Sequence, residues 1–381
     1  MKKFLFLVLI IILFMLSFMP KQTNITAIKY ATWGSQTEIE ILKPLLSEFE
    51  KQNPDIKVEL LHIPQNYFQK IHLLFASNSA PDVIFINNYY LPFFANANVL
   101  EPYERDLKEF ENKALDALKF ENKQYAIPRD ISVIVIFRNK NLFKNCNVKL
   151  TSDIGTMKDF LEISEKFKKC GVFGISFEEK PPLFYLPYLM SEGGGILSDD
   201  AKTNILNSKN SQKGLKFYSD LRNKYYVAPT ASESANKTMA QMFLQGKMAM
   251  HLTGHWLVPK YLEEASFEWD TVTFPKGSSG SVVSLDASGW AISKSSKHKD
   301  EAKKLVDFLS SKDSIQKYTQ SGLIVPARKD ILKGEFANSP YNKAFINAVQ
   351  TAKPTPVSVD YNELINRLNQ ENEKVFNVSL P

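Results

Sequence analysis

The 381-residue chain has little cysteine, arginine or glycine, and each shortage removes a class of explanation. Its two cysteines, Cys146 and Cys170, are too few for a four-thiolate zinc site or for the disulfide framework of a secreted miniprotein, and they do not form a CxxC pair. Six of the 47 cationic residues are arginine and the rest lysine, so the formal +6 reads as lysine-rich composition. No basic run interleaved with aromatics appears, which argues against a nucleic-acid partner. Fifteen glycines without a period exclude a collagen-like fibre. The 44% of hydrophobic and 23% of charged residues fit a globular protein of about two or three domains, not a disordered tail.

Long apolar runs are equally scarce, and the longest stands at the amino end. Lys2 and Lys3 precede an unbroken stretch from Phe4 to Leu16, continued by Phe18 and Met19, which is the n-region and h-region of a secretory leader. The remainder is therefore expected in the periplasm or at the outer face of the cytoplasmic membrane. Pro20, Lys21, Gln22 and Thr23 offer no small-x-small cleavage site, and no cysteine is there to accept a lipid. As a helix, residues 4–19 span about 24 Å at ~1.5 Å per residue, short of a ~30 Å hydrocarbon core, although Lys2, Lys3 and Lys21 can snorkel at both ends. Residues 1–26 read either as a cleaved signal peptide or as a retained anchor.

From Ile28 the pattern is strand, helix, strand, helix, strand, which builds a parallel sheet. The strands are Ile28–Trp33, Ile56–His62 and Asp82–Asn87. Ile41, Leu42, Leu45, Leu46 and Phe49 keep helical spacing, as do Phe68, Ile71, Leu74 and Phe75. Pro44 should kink the first helix or mark its true first turn. The segment Gln124–Asp130 is short, extended and proline-containing, and reads as a crossover, with Val133–Phe137 a buried strand behind it. Helices follow near 157–169, 211–224 and 238–244, then a strand at 248–252, a β-rich return at 267–275, a strand at 286–293, a charged helix at 300–309 and closing helices. No repeat and no low-complexity linker appears, which favours interleaved lobes over beads on a string.

Four stretches in this order resemble the extracellular solute-binding proteins of ABC importers, family 1, the maltose-binding-protein-like group. They are Tyr30-Ala-Thr-Trp33-Gly34 with the 48–58 helix-to-strand turn; Ala80-Pro-Asp82-Val-Ile-Phe85 leading to Val99–Tyr103; Tyr125-Ala-Ile-Pro128 with Phe137-Arg-Asn139; and Phe243–Met250 with Thr253-Gly254-His255-Trp256, Gly289-Trp290 and Gly322–Arg328. The resemblance implies an α/β fold of two lobes, the type II periplasmic-binding-protein architecture, with a ligand cleft between them and several hinge crossings. Lobe 1 is expected from residues 27–128 plus 269–310 and lobe 2 from 129–268 plus 311–381, with hinges near Pro128–Ile131, Phe267–Thr271 and Leu309–Asp313. It also implies a monomeric substrate-capture subunit, binding a sugar or oligosaccharide and delivering it to membrane permease subunits, with no cofactor, metal or catalytic residue.

A sugar presents a C–H ring face and a rim of hydroxyls, so its site needs aromatic platforms beside polar side chains. The resemblance puts a stacking tryptophan at Trp256, which can otherwise be core. Trp33 ends the first strand, where a parallel sheet faces its cleft. Ser35, Gln36 and Glu38 open the following helix, Glu38 serving either a ligand or the helix dipole. Asn87, Asn88 and Tyr89 follow the third strand, as ligand contacts or as turn formers. Arg129 and Asp130 stand at the first crossing, where the family carries an acidic contact; a local ion pair is the alternative. Asp286, Ser288 and Trp290 resemble the family's cleft segment, although Asp286-Ala-Ser replaces part of its glycine pattern. Gly194, within Gly193–Gly195, allows tight turning, and Phe184 or Tyr185 can be a second platform. Tyr361 and Arg328 are weaker candidates, read as packing and as surface pairing.

Enzyme motifs do not hold up. His251 and His255 have zinc-ligand spacing, but on a strand and loop rather than a helix. Ser296-Lys-His-Lys299 matches SxxK in a lysine-rich helix approach. A polyol phosphate, bound through Arg129 or Arg328, is the rival cargo. A secreted carbohydrate-active enzyme is the rival class, with Asp130 and Asp286 as its carboxylate pair. Export permits a disulfide between Cys146 and Cys170, although an intervening helix of about 20 Å leaves its geometry open.

Overall fold

The first strand, β1 (Thr26–Thr32), ends in a turn through Gly34 at φ 129°, a backbone angle suited to glycine. Ser35 then caps the helix Gln36–Gln52: its hydroxyl accepts from the Glu38 amide and the Glu38 carboxylate accepts from the Ser35 amide. Ile39, Leu42, Leu45, Leu46 and Phe49 form the buried stripe of that helix. Pro44 neither starts nor ends it; the proline sits on the exposed face, where the carbonyl freed by its missing N–H can meet water. The computed structural model describes residues 25–234 and 236–376, so the leader or anchor expected at residues 4–19 lies outside the described residues.

The remaining strands are β2 (Ile56–His62), β3 (Val83–Asn87), β4 (Leu100–Glu101), β5 (Ala126–Ser132), β6 (Ile134–Asn139), β7 (Phe173–Ile175), β8 (Met248–Gly254), β9 (Trp269–Val272), β10 (Ser284–Ser293), β11 (Val325–Pro326) and β12 (Lys353–Pro354), with a small hairpin at 119–124. The first sheet runs β11-β5-β10-β3-β1-β2, with β4 and β12 also on β10; the second runs β9-β6-β8-β7. The parallel arrangement expected for the first three strands is present, with β1 between β2 and β3. Beyond them the sheet is mixed, because β10 inserts antiparallel to both β3 and β5. Its register on β5 shifts between Ser288 and Gly289, and a Cβ at Gly289 would lie 2.0 Å from the Ile127 carbonyl oxygen. Only glycine fits that approach.

The sheets move the crossings from their expected places. β5 stays in the first sheet to Ser132 and β6 opens the second at Ile134, so the first crossing falls at Val133 and not at Pro128–Ile131. Residues 269–272, expected in lobe 1, form β9 on the free edge of β6 in the second sheet. The helix Lys312–Gln320, expected in lobe 2, packs on Gln36–Gln52, with Lys317 Nζ 2.7 Å from Glu48 Oε2, and β11 pairs with β5. That chain therefore leaves the first sheet after Pro326, not at Leu309–Asp313. Apolar periodicity is the same on either lobe, so the sequence carries no signal for these assignments.

Cys146 caps the helix Lys140–Asn145 and Cys170 the helix Met157–Lys169, and the two are joined, with Cα atoms 5.9 Å apart. The connection 147–156 carries the chain away so that the second helix returns over its own length to the first cysteine. His251 and His255 face different protein groups. Nδ1 of His251 lies 2.5 Å from the Tyr261 hydroxyl, and Nε2 of His255 lies 2.7 Å from Asn342 Oδ1. Burial lowers both pKa values, to about 3 for His251 and about 4 for His255, the Asn342 contact opposing the second shift.

Two predictions rest on this packing. Replacing Cys146 and Cys170 by serine should cost about 3 kcal/mol, the loop-closure entropy of a 24-residue link, measured as a lower urea midpoint. Both histidines are neutral when folded, whereas the unfolded chain takes up their protons below about pH 6.5. Stability should therefore fall as pH drops from about 6.5 towards 4, and the slope between pH 6.5 and 5 should shrink in His255→Gln.

Candidate functional site

Four of the residues singled out in the sequence meet where the two sheets adjoin. Glu38, Arg129, Asp130 and Trp256 line a cavity of about 110 Å³, with Ile131–Val133, His255 and the run Leu323–Val325 completing its wall. Arg129 is its electrostatic centre. Nη2 donates to Asp130 Oδ2 at 2.8 Å and to Glu38 Oε1 at 3.2 Å. The guanidinium lies over the rings of Phe85 and Tyr318, 4.4 and 4.9 Å from their centroids. Burial works against its charge, but Asp130 and Glu38 outweigh burial and raise its pKa. Burial raises the Asp130 pKa, opposed by Arg129 and by the Ser288 amide. Asp130 Oδ1 nonetheless makes no well-formed hydrogen bond, although it is shielded from water.

Trp256 enters from the second sheet. β8 ends at Gly254, and a one-turn 3₁₀ helix, His255–Leu257, swings the indole back over the strand end. A Cβ on Gly254 would lie 1.8 Å from Cζ3 of that indole, so the glycine makes room for this pose. Trp256 keeps 37% of its surface exposed, unusual for so large an apolar side chain.

The other candidates fall elsewhere. Trp33 is half-buried against Tyr67, Phe68 and Phe85, its ring 4.5 Å from that of Phe85. The Ser35 hydroxyl is used as the helix cap, and exposed Gln36 donates to Glu40. Asn87 Oδ1 accepts from the Tyr90 amide, the turn-forming alternative. Asn88, Tyr89 and Thr355 donate to the Asp286 carboxylate at 2.9, 2.5 and 2.6 Å, and Asn88 also accepts from the Ala287 amide. Burial raises the Asp286 pKa against these three donors. Its carboxylate thus fastens β10 to the turn after β3, away from the cavity.

Ser288 is half-buried within β10, opposite Asn87 and Asp130. Trp290 is a core residue, 1% exposed, whose indole donates to the Tyr30 hydroxyl at 2.9 Å. Strand alternation turns it inward, and the sequence alone does not fix which face of β10 is covered. Gly194 lines a second cavity of about 360 Å³ with Gly193, Gly195, Thr355 and Tyr361. A Cβ there would stand 2.4 Å from the Ser211 amide, so this glycine serves close packing on the helix Lys209–Asn223. Phe184 is half-buried in the turn Pro182–Phe184 and lies in neither lining, while Tyr185 is fully buried. Tyr361 stacks on Tyr89, and Arg328 pairs with Asp330. His255 stood out in the sequence only for its zinc-ligand spacing, and Leu323–Val325 only within a family-like stretch; the latter form a wall without polar side chains, and nothing local distinguishes them from core.

The family described as bacterial extracellular solute-binding protein matches residues 33–316. The maltodextrin-binding protein of Bacillus subtilis (strain 168) is 25% identical over 337 residues, covering 84% of this chain and 78% of that one. The multiple sugar-binding protein of Streptococcus mutans is 28% identical over 301 residues, covering 73% and 69%. Among solved structures, an ABC substrate-binding protein from Listeria monocytogenes in complex with cycloalternan superposes with a TM-score of 0.83 at 27% identity, over 93% of this chain and 94% of that one. With a family match that spans most of its length and an architecture shared almost end to end, the chain belongs to the bacterial extracellular solute-binding proteins.

Proposed function

We propose that the protein is the cargo-capture subunit of an ABC importer, acting as a single copy at the outer side of the cytoplasmic membrane. It holds a sugar or short oligosaccharide between two lobes and presents it to permease subunits. The lobes follow the sheets: residues 27–132, 284–326 and 353–354 form one, and 134–272 with the helix Lys343–Thr351 the other. The observation that carries this reading is the half-open indole of Trp256, supplied by one sheet against the carboxylates of Glu38 and Asp130 from the other. An apolar face opposite hydrogen-bond acceptors is what a pyranose requires. The relatives named for maltodextrin and multiple sugars favour the same cargo class.

The cavity is smaller than the ~300–1,000 Å³ usual for ligand sites, so cargo enters by separation of the lobes. The rival readings have weaker support. Arg129 and Arg328, the cations a polyol phosphate would use, already pair with carboxylates. Glycoside hydrolysis needs two carboxylates across one bond, whereas Asp286 is held by three donors outside the cavity.

Thermal stabilisation of the purified protein by members of an oligosaccharide panel, with no hydrolysis product by chromatography, is the expected result; product release would overturn the reading. Trp256→Ala should abolish that stabilisation while leaving the unliganded melting temperature within a few degrees. Gly254→Ala, which displaces the indole without removing it, should weaken binding at least about tenfold, because the whole ring must swing out of its pose.

A further inference from the structure

The end of the second sheet that faces away from the seam collects lysines that the sequence scatters. The strand registers bring the starts of β7, β8 and β9 together with the close of β6, Met248 standing opposite Phe173 and Trp269 opposite Asn139. Lys144, Lys166, Lys168, Lys169, Lys224 and Lys247 are exposed on the segments that enter or leave this end, and among the described residues none of them is in an ion pair. Lys140 already holds Glu268, Arg138 holds Asp270 and Lys216 holds Asp220, which leaves Glu165 and Glu263 exposed against six cations. The Cys146–Cys170 link ties together the two helix ends that carry four of those lysines. Four helices end here, and C-termini equivalent to about half a negative charge each tolerate the crowding without neutralising it. Apolar surface lies between the cations. Tyr226, at φ 53°, keeps 42% of its surface exposed, with Lys168 Nζ 4.8 Å from its ring centroid. Leu150, also exposed, lines a surface groove of about 600 Å³ with Phe143, Val148, Lys140 and Lys144.

We propose that this pole is a membrane-docking surface, fitted to an anionic phospholipid bilayer, its lysines on headgroup phosphates and Tyr226 and Leu150 at the headgroup boundary. Lysine stems cover apolar surface while their ammonium groups stay wet, and tyrosine favours the membrane–water interface. Each lysine near such a surface strengthens attachment about fivefold. The cavity lies at the opposite ends of β6 and β8, so docking here does not cover it. The inference goes beyond cargo capture and needs no saccharide: it requires only a place at the outer side of the cytoplasmic membrane, where attachment would concentrate the protein in the plane of its permease subunits.

The test measures co-sedimentation of the full chain with vesicles of phosphatidylcholine alone and of phosphatidylcholine mixed equally with phosphatidylglycerol. Whatever the amino end contributes is common to every variant. The wild type should prefer the anionic vesicles at least about tenfold at about 0.1 M salt and lose that preference at about 1 M, as the Debye length falls from about 10 to about 3 Å. Lys144→Gln, Lys169→Gln, Lys224→Gln and Lys247→Gln combined should cut the preference at least about tenfold. A matched variant, Lys43→Gln, Lys51→Gln, Lys297→Gln and Lys304→Gln, removes the same charge from exposed positions around the first sheet and should change it less than about twofold. Equal losses in the two variants would assign binding to net charge and overturn the proposal, as would equal binding of the wild type to both vesicles. If soluble polyphosphate at matched phosphate concentration strips the wild type from the vesicles completely, the partner is a free polyanion and the membrane proposal falls. The salt comparison stands on the wild type alone, so it holds whether or not either variant folds.

Discussion

The buried guanidinium of Arg129 is the constraint to which much of the first sheet's architecture answers. Leaving such a charge unpaired in the interior costs about 3–5 kcal/mol, so its partners must arrive together. Glu38 comes from the first turn of the helix after β1, and the Ser35–Glu38 cap fixes where that turn lies. Asp130 comes from β5 itself. Phe85 on β3 and Tyr318 on the helix Lys312–Gln320 close the two faces. One charge thus holds four segments in place, the last of them nearly 190 residues further along the chain. That is also why residues 312–326 remain with the first sheet.

The same charge stands four residues before the seam. Between Ser132 and Ile134 the chain changes sheets through a single residue, so the Arg129–Asp130 pair rides on the first sheet while β6 and β8 carry the second. β8 finishes at Gly254, and the missing Cβ lets Trp256 fold back towards the seam. An aromatic surface and a set of acceptors are thereby mounted on different sheets. The wall between them exists only when the sheets stand in the right relation, which couples occupancy to lobe geometry in the proposed capture cycle.

The elements that the sequence makes legible are those with a local cause. The helix Met157–Lys169 and the strand Ile56–His62 match their expected bounds because period-3.6 and β-branched patterns act within the segment. Arg129, Asp130 and Glu38 are legible as polar residues at a crossing and at a helix start. The pairing of Arg129 with Asp130 is legible as a local ion pair, but that with Glu38 is not, since it joins positions about 90 residues apart. Trp290 and Asp286 mislead for a related reason. Alternation along β10 says that successive residues face opposite sides, but which side is covered depends on β3, β5 and the turn at Asn88. The Cys146–Cys170 link was open in the sequence because it depends on the direction in which a helix returns.

A hinge made of apolar side chains would hold the sheets as well as this ion triad does, and replacing buried ion pairs with well-packed apolar groups is often neutral or stabilising. Stability alone therefore gives little reason for two carboxylates beside one arginine at the cavity wall. Glu38 and Asp130 instead line the cavity with polar groups, which an apolar seam cannot do. The scaffold shared with the Listeria protein at 27% identity needs only the apolar pattern of its strands and helices, because many sequences fill a core of given shape. The charged side chains that line the cavity are three, Glu38, Arg129 and Asp130. That lining can consequently change while the fold stays the same, so resemblance in architecture carries the scaffold and not the side chains around Arg129 and Trp256.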